Sequence, residues 1–132
     1  SMTGSARFVA GAGLAEKTGW IAMARCVLVI FTNAAEGREQ EYLDWYDKHL
    51  DHMLELEDCL SAQHFTQVDY TDDRHHRGPH QYLAIYEFET DDVPATQARL
   101  SARLGGPTMP NSDAKTDTTG WYFAEIGPKR VK

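Results

Sequence analysis

Positive charge is scarce in this sequence: thirteen lysines and arginines stand against twenty aspartates and glutamates, a formal net charge of -7. That balance repels a phosphate backbone or an anionic lipid surface, so neither nucleic acid nor a membrane is an expected partner. Cysteine is scarce too. Cys26 and Cys59 are the only two, with no CxxC and no zinc spacing; reduced buried thiols are expected, and one disulfide between them is the alternative. Long apolar runs are missing, the stretch Cys26 to Phe31 being typical and far short of the roughly 20 residues that span a bilayer. Glycines, followed by Glu16 and Lys17, break the faint imitation of a secretory signal at Arg7 to Ala15, and a cytoplasmic location is the expectation. Nor is there a GxGxxG, GxxxxGK, GxSxG or HExxH motif, which removes the minimal parts of nucleotide, serine-hydrolase and metalloprotease sites.

What is present suits one folded domain. The 132 residues are 42% hydrophobic and 11% aromatic, enough for a core. Residues 1–23 read as a glycine-rich, flexible N-terminal arm with Ser1 a cloning remnant, residues 24–128 as the domain, and 129–132 as a short tail. Ala24 to Thr32 is nearly continuous in apolar residues, as a strand buried on both faces should be. From Arg38 to about Leu56 the period becomes helical: Tyr42, Leu43, Trp45, Tyr46, His49, Leu50, Met53, Leu54 and Leu56 fall within half the circumference at about 100° per residue. Strands are expected over Leu60 to Val68 and Gln81 to Glu89, joined by a long polar connection. Asp91-Asp92 with Pro94 starts a second helix that Gly105-Gly106 stops near Leu104. Pro107 to Thr119 reads as a loop, and Gly120 to Gly127 as the last strand.

The order β-α-β, β-α-β points to an α+β, ferredoxin-like βαββαβ fold: a four-stranded antiparallel sheet with two helices on one face. Its first strand is apolar on both sides, so the other face needs a cover. A second copy supplies one, and a homodimer is expected. Trp45-Tyr46-Asp47-Lys48-His49-Leu50, Ser61-Ala62-Gln63 and Tyr82-Leu83-Ala84-Ile85-Tyr86 resemble the EthD-like branch of the dimeric α+β barrel superfamily over about residues 24 to 128. The resemblance implies that fold and dimer, and a superfamily of cofactor-independent monooxygenases, polyketide cyclases, lactone isomerases and haem-handling proteins. Glu57-Asp58-Cys59 stand where such proteins often carry a glycine before the second strand.

His49 is the leading acid/base candidate, since a neutral imidazole amid an apolar stripe can take or give a proton near neutral pH. A lone histidine on such a face is otherwise a core side chain satisfied by a backbone carbonyl. Tyr46 and Tyr86 are candidate oxyanion donors and His64, within a strand, a second acid/base. Trp45, Tyr42, Met53, Phe65, Tyr82, Trp121 and Phe123 are candidate substrate-binding residues, with core and dimer interface as the alternatives. Glu87 and Glu125 sit where a buried carboxylate could move protons or simply mark a rim. The run His75-His76-Arg77-Gly78-Pro79-His80 offers imidazoles, but adjacent histidines rarely share an ion, and no metal site is expected.

These residues suggest an enzyme without cofactor, in which His49 transfers a proton on a small cyclic or aromatic compound. Cyclisation, isomerisation, elimination or oxygenation can follow that step. A non-catalytic dimeric carrier of a hydrophobic metabolite, or a haem-handling protein with His49 or His64 as axial ligand, is the alternative.

Overall fold

The computed structural model of the protein describes residues 24–132; the expected N-terminal arm and its Ser1 lie outside the described residues. Six elements follow one another: β1 (Ala24–Ala34), α1 (Glu39–Leu54), β2 (Cys59–Thr66), β3 (Tyr82–Thr90), α2 (Val93–Arg103) and β4 (Lys115–Ala124). The strands form one antiparallel sheet in the order β2-β3-β1-β4. This is the ferredoxin-like α+β topology, and among the described residues no helix is long and apolar enough to cross a membrane.

Alternation along the strands assigns the two sheet faces. On one side Cys26, Leu28 and Thr32 of β1 and Ala84, Tyr86 and Phe88 of β3 are buried. Both helices lie there: Tyr42 of α1 bonds Thr32 of β1, while Thr96 and Gln97 of α2 bond Thr90 of β3 and Tyr122 of β4. The opposite face carries Val27, Val29 and Phe31, flanked by Leu83, Ile85, Phe65, Trp121 and Phe123. There Trp121 and Phe123 keep 53% and 55% of their surface exposed.

The helix ends follow local chemistry. Asp92 caps α2 by accepting the Ala95 amide at 3.0 Å, with Pro94 in the first turn, and Gly105 at φ 85° turns the chain away beyond its end. Helix α1 ends two residues earlier than its apolar period suggests, because the Leu56 amide bonds back to the Met53 carbonyl at 3.0 Å, tightening the last turn. Leu56 is nevertheless buried. In place of the glycine expected before β2, Asp58 accepts the Thr96 hydroxyl at 2.8 Å and pairs with Arg99, tying the start of β2 to α2.

Strand β4 begins at Lys115, within the segment expected to be loop. Between Phe31 and Asn33 of β1 its register slips by one residue, Phe31 facing Thr119 and Asn33 facing Thr116. Asp117 sits in that bulge at φ 54°, with its carboxylate held by the Asn33 amide at 3.1 Å. The extra residue breaks the apolar alternation, which hides the strand from a pattern reading. Further along, β4 approaches β1 closely at Gly120: a Cβ there would lie 2.5 Å from both Ile30 Cδ1 and the Val29 carbonyl oxygen.

Candidate functional site

The helical period of α1 delivers Tyr42, Tyr46, His49 and Met53 to the sheet, all buried. The stripe is narrower than the sequence suggests, for Leu43 and Leu54 remain 39% and 45% exposed. Tyr82 and Tyr86 rise from β3 on the same side, His64 from β2, and together these rings form a continuous aromatic interior. Tyr46 is its hinge point. Its ring stacks on His64 at 3.9 Å between centroids and meets His49 edge-on at 5.6 Å.

His49 stands out within that interior. Its imidazole lies flat against Trp45, 4.5 Å away and 15° from parallel, and meets Tyr86 edge-on at 6.4 Å. Its Nδ1 is buried with no hydrogen-bond partner, contrary to the backbone-satisfied imidazole expected of a core histidine. Burial first, then the nearby Lys115 ammonium and His52, pushes its pKa down to about 4. At neutral pH the ring is therefore uncharged.

The two phenols beside it stay protonated, because burial pushes Tyr46 and Tyr86 well up from the usual phenol range. The Tyr86 hydroxyl donates to Tyr46 at 3.5 Å, at the long limit of such a bond. A second polar thread crosses the same interior: the Tyr42 hydroxyl shares bonds of 2.5 Å with Thr32 and 2.9 Å with His64 Nε2. Burial lowers the His64 pKa as well.

The four candidate acid/base and oxyanion residues, His49, Tyr46, Tyr86 and His64, thus share one interior with Trp45, Tyr42, Tyr82 and Met53. Phe65, Trp121 and Phe123 do not join them; strand alternation turns these three to the opposite face of the sheet. There an apolar cleft of about 470 Å³ opens between Phe31, Phe65, Leu83, Trp121 and the Gly78–Gln81 loop, with Tyr82 at its margin. A second, more polar cleft includes Phe123, Glu87 and Glu125. Glu87 accepts the Ser61 hydroxyl at 2.6 Å and Glu125 is exposed.

The remaining candidates serve the scaffold. His75 pairs with Asp72 at 2.8 Å, His80 bonds the Asp117 carbonyl at 3.0 Å, and among the described residues no three potential metal ligands converge. Cys26 and Cys59 are free. Each faces Phe88 from a different neighbouring strand, so about 9.6 Å of sheet separates them, beyond the reach of a disulfide. Burial pushes both thiols up to about 11, which leaves them poor nucleophiles.

Lys115 is the residue that pattern reading passes over. Paired with Ala34, it lies on the helix side of β4, and its ammonium sits 5.1 Å from the centre of the Trp45 ring. Burial lowers its pKa. The bulge at Asp117 hid it, since a lysine in a threonine-rich polar run looks like solvated loop.

An α+β domain with an aromatic, two-histidine interior is the class this arrangement defines. No family's sequence profile matches the chain, and no curated protein matches it. Its fold is shared with a crystal structure of a Shewanella loihica protein provisionally described as a monooxygenase. The two superpose with a TM-score of 0.56 at 13% identity, over 80% of this chain and 98% of that one. At that identity the likeness establishes the fold alone.

Proposed function

We propose that this protein is a cofactor-independent enzyme of the EthD-like kind that acts on a small cyclic or aromatic compound, with His49 as its proton-handling group. The carrying observation is the partnerless, buried Nδ1 of His49 beside Trp45, Tyr46 and Tyr86. Leaving such an atom unsatisfied costs about 1–3 kcal/mol, a cost that a ligand's donor or acceptor would offset. The flat rings around it suit a flat guest.

In this mechanism the neutral imidazole meets a carbon acid next to a carbonyl. A base with a pKa of about 4 is weak at rest, and negative charge developing on the substrate strengthens it as the proton moves. Tyr46 accepts from Tyr86, which leaves its own proton for the developing oxyanion. Cyclisation, isomerisation, elimination and reaction of the carbanion with oxygen all follow from that intermediate. The provisional description of the Shewanella protein as a monooxygenase is in keeping with the last. A second copy of the chain covers the open sheet face in this reading, and the working form is a cytoplasmic homodimer.

Turnover of aromatic lactones or polyketide-like acids that vanishes in His49→Ala while ligand affinity persists is the expected result. A carrier is the second reading, favoured by the apolar cleft on the opposite face; it predicts binding that His49→Ala leaves intact and no turnover in either protein. A Soret band in the purified protein would replace both with haem handling. If NMR finds the His49 ring indifferent to every such compound, the catalytic reading fails.

A further inference from the structure

We propose that Lys115 is an anion-docking residue of the His49 site, so that the substrate is a cyclic or aromatic compound carrying a carboxylate. This rests on the reading in which His49 faces a substrate, and it names that substrate's class.

Three observations converge on Lys115. Its ammonium and the His49 ring are linked through one side chain: Nζ lies 5.1 Å from the Trp45 ring centre, and the same indole stacks on His49 at 4.5 Å. Among the described residues Lys115 has no carboxylate partner, whereas Arg25, Arg38, Arg77, Arg99 and Arg103 each hold one. In a chain with twenty acidic side chains against thirteen basic ones, a half-buried cation without an acid is conspicuous. The third observation is the company it keeps. Among the described residues His49 Nδ1 is a buried side-chain nitrogen with no hydrogen-bond partner, and Lys115 is near enough to depress that imidazole.

A carboxylate at Lys115 satisfies a desolvated charge that the ring face of Trp45 stabilises only in part. The flat body of the ligand then lies alongside Trp45, and its second polar group can reach His49. Binding has a further electrostatic effect. The titratable groups bearing on His49 are Lys115 from β4 and His52 on its own helix, while Tyr86 faces it from β3 and Tyr46 from α1 as neutral phenols. An anion on Lys115 neutralises the ammonium, whose effect on the imidazole exceeds that of His52, so the imidazole becomes a stronger base only when the correct ligand is in place.

The test compares 2-naphthoate with its neutral relative 2-naphthamide, following the His49 ring by NMR and binding by calorimetry. Wild type should bind naphthoate at least roughly tenfold tighter, as one charge-assisted hydrogen bond supplies, and the His49 titration midpoint should rise in its presence. Lys115→Met should erase the preference while leaving naphthamide affinity unchanged, and Lys115→Arg should retain it. Equal affinity of wild type for the two probes, or a preference that survives in Lys115→Met, overturns the inference. Should Lys115→Met fail to fold, the wild-type comparison decides alone. Naphthamide that perturbs His49 without any advantage for naphthoate sinks only the anion site; if neither probe perturbs the ring, the reading beneath it falls.

Discussion

At the scale of single residues, His49 couples protonation to folding. Its pKa falls from 6.5 in the unfolded chain to about 4 in the folded one, so the unfolded state binds the proton more tightly between those values. The stabilisation is complete above pH 6.5 and is lost as the pH falls toward 4, a total of about 3 kcal/mol for a shift of this size. Urea denaturation at pH 7 and pH 4.5 should show a drop in midpoint that His49→Leu reduces, with His64 contributing a change of the same sign. That His49 faces the interior was legible from helical spacing alone, because α1 is regular from Tyr42 to Met53. Its orphaned nitrogen was not, since no spacing rule specifies which backbone carbonyls come within reach.

At the scale of elements, sequence patterns succeeded where one period ran unbroken and failed where a local irregularity intervened. Asp92 with Pro94 announced α2, and its cap is present. By contrast the sequence pattern starts β4 five residues late, at Gly120 instead of Lys115, because the Asp117 bulge interrupts alternation. Which face of β3 meets the helices was equally hidden: Tyr82, Tyr86 and Phe88 on one side and Leu83 and Ile85 on the other are both apolar, and only packing distinguishes them. Gly120 leaves no room for a Cβ between β4 and β1. Gly120→Ala should therefore lower stability by about 1–3 kcal/mol, read as a fall in urea midpoint, since one of the clashing atoms is a backbone carbonyl that cannot rotate away.

For the whole molecule, the sheet divides the chain into an aromatic interior and an apolar outer face. Trp121 and Phe123 on that face are more than half exposed, a large apolar area for a lone domain to leave in water. If a second copy covers it, light scattering should give twice the 14.9 kDa chain mass, and Phe123→Asp should give the single-chain mass without loss of helical signal. A wild-type protein that runs as a monomer at micromolar concentration would refute the homodimer. The two-sided apolar character of β1 made an apolar outer face readable in advance; the division of the aromatic candidates between the faces was not, because it depends on strand register.

The single extra residue at Asp117 also settles which compartment receives Lys115. Counting from Trp121 on the outer face, Lys115 is six positions away, an even number that in an unbroken strand would return it to the outside. One inserted residue reverses that parity and sends the cation inward to Trp45. Excising Asp117 would leave every other side chain in the sequence unchanged and still exile the lysine from the interior: the address of a charge is written here in backbone arithmetic.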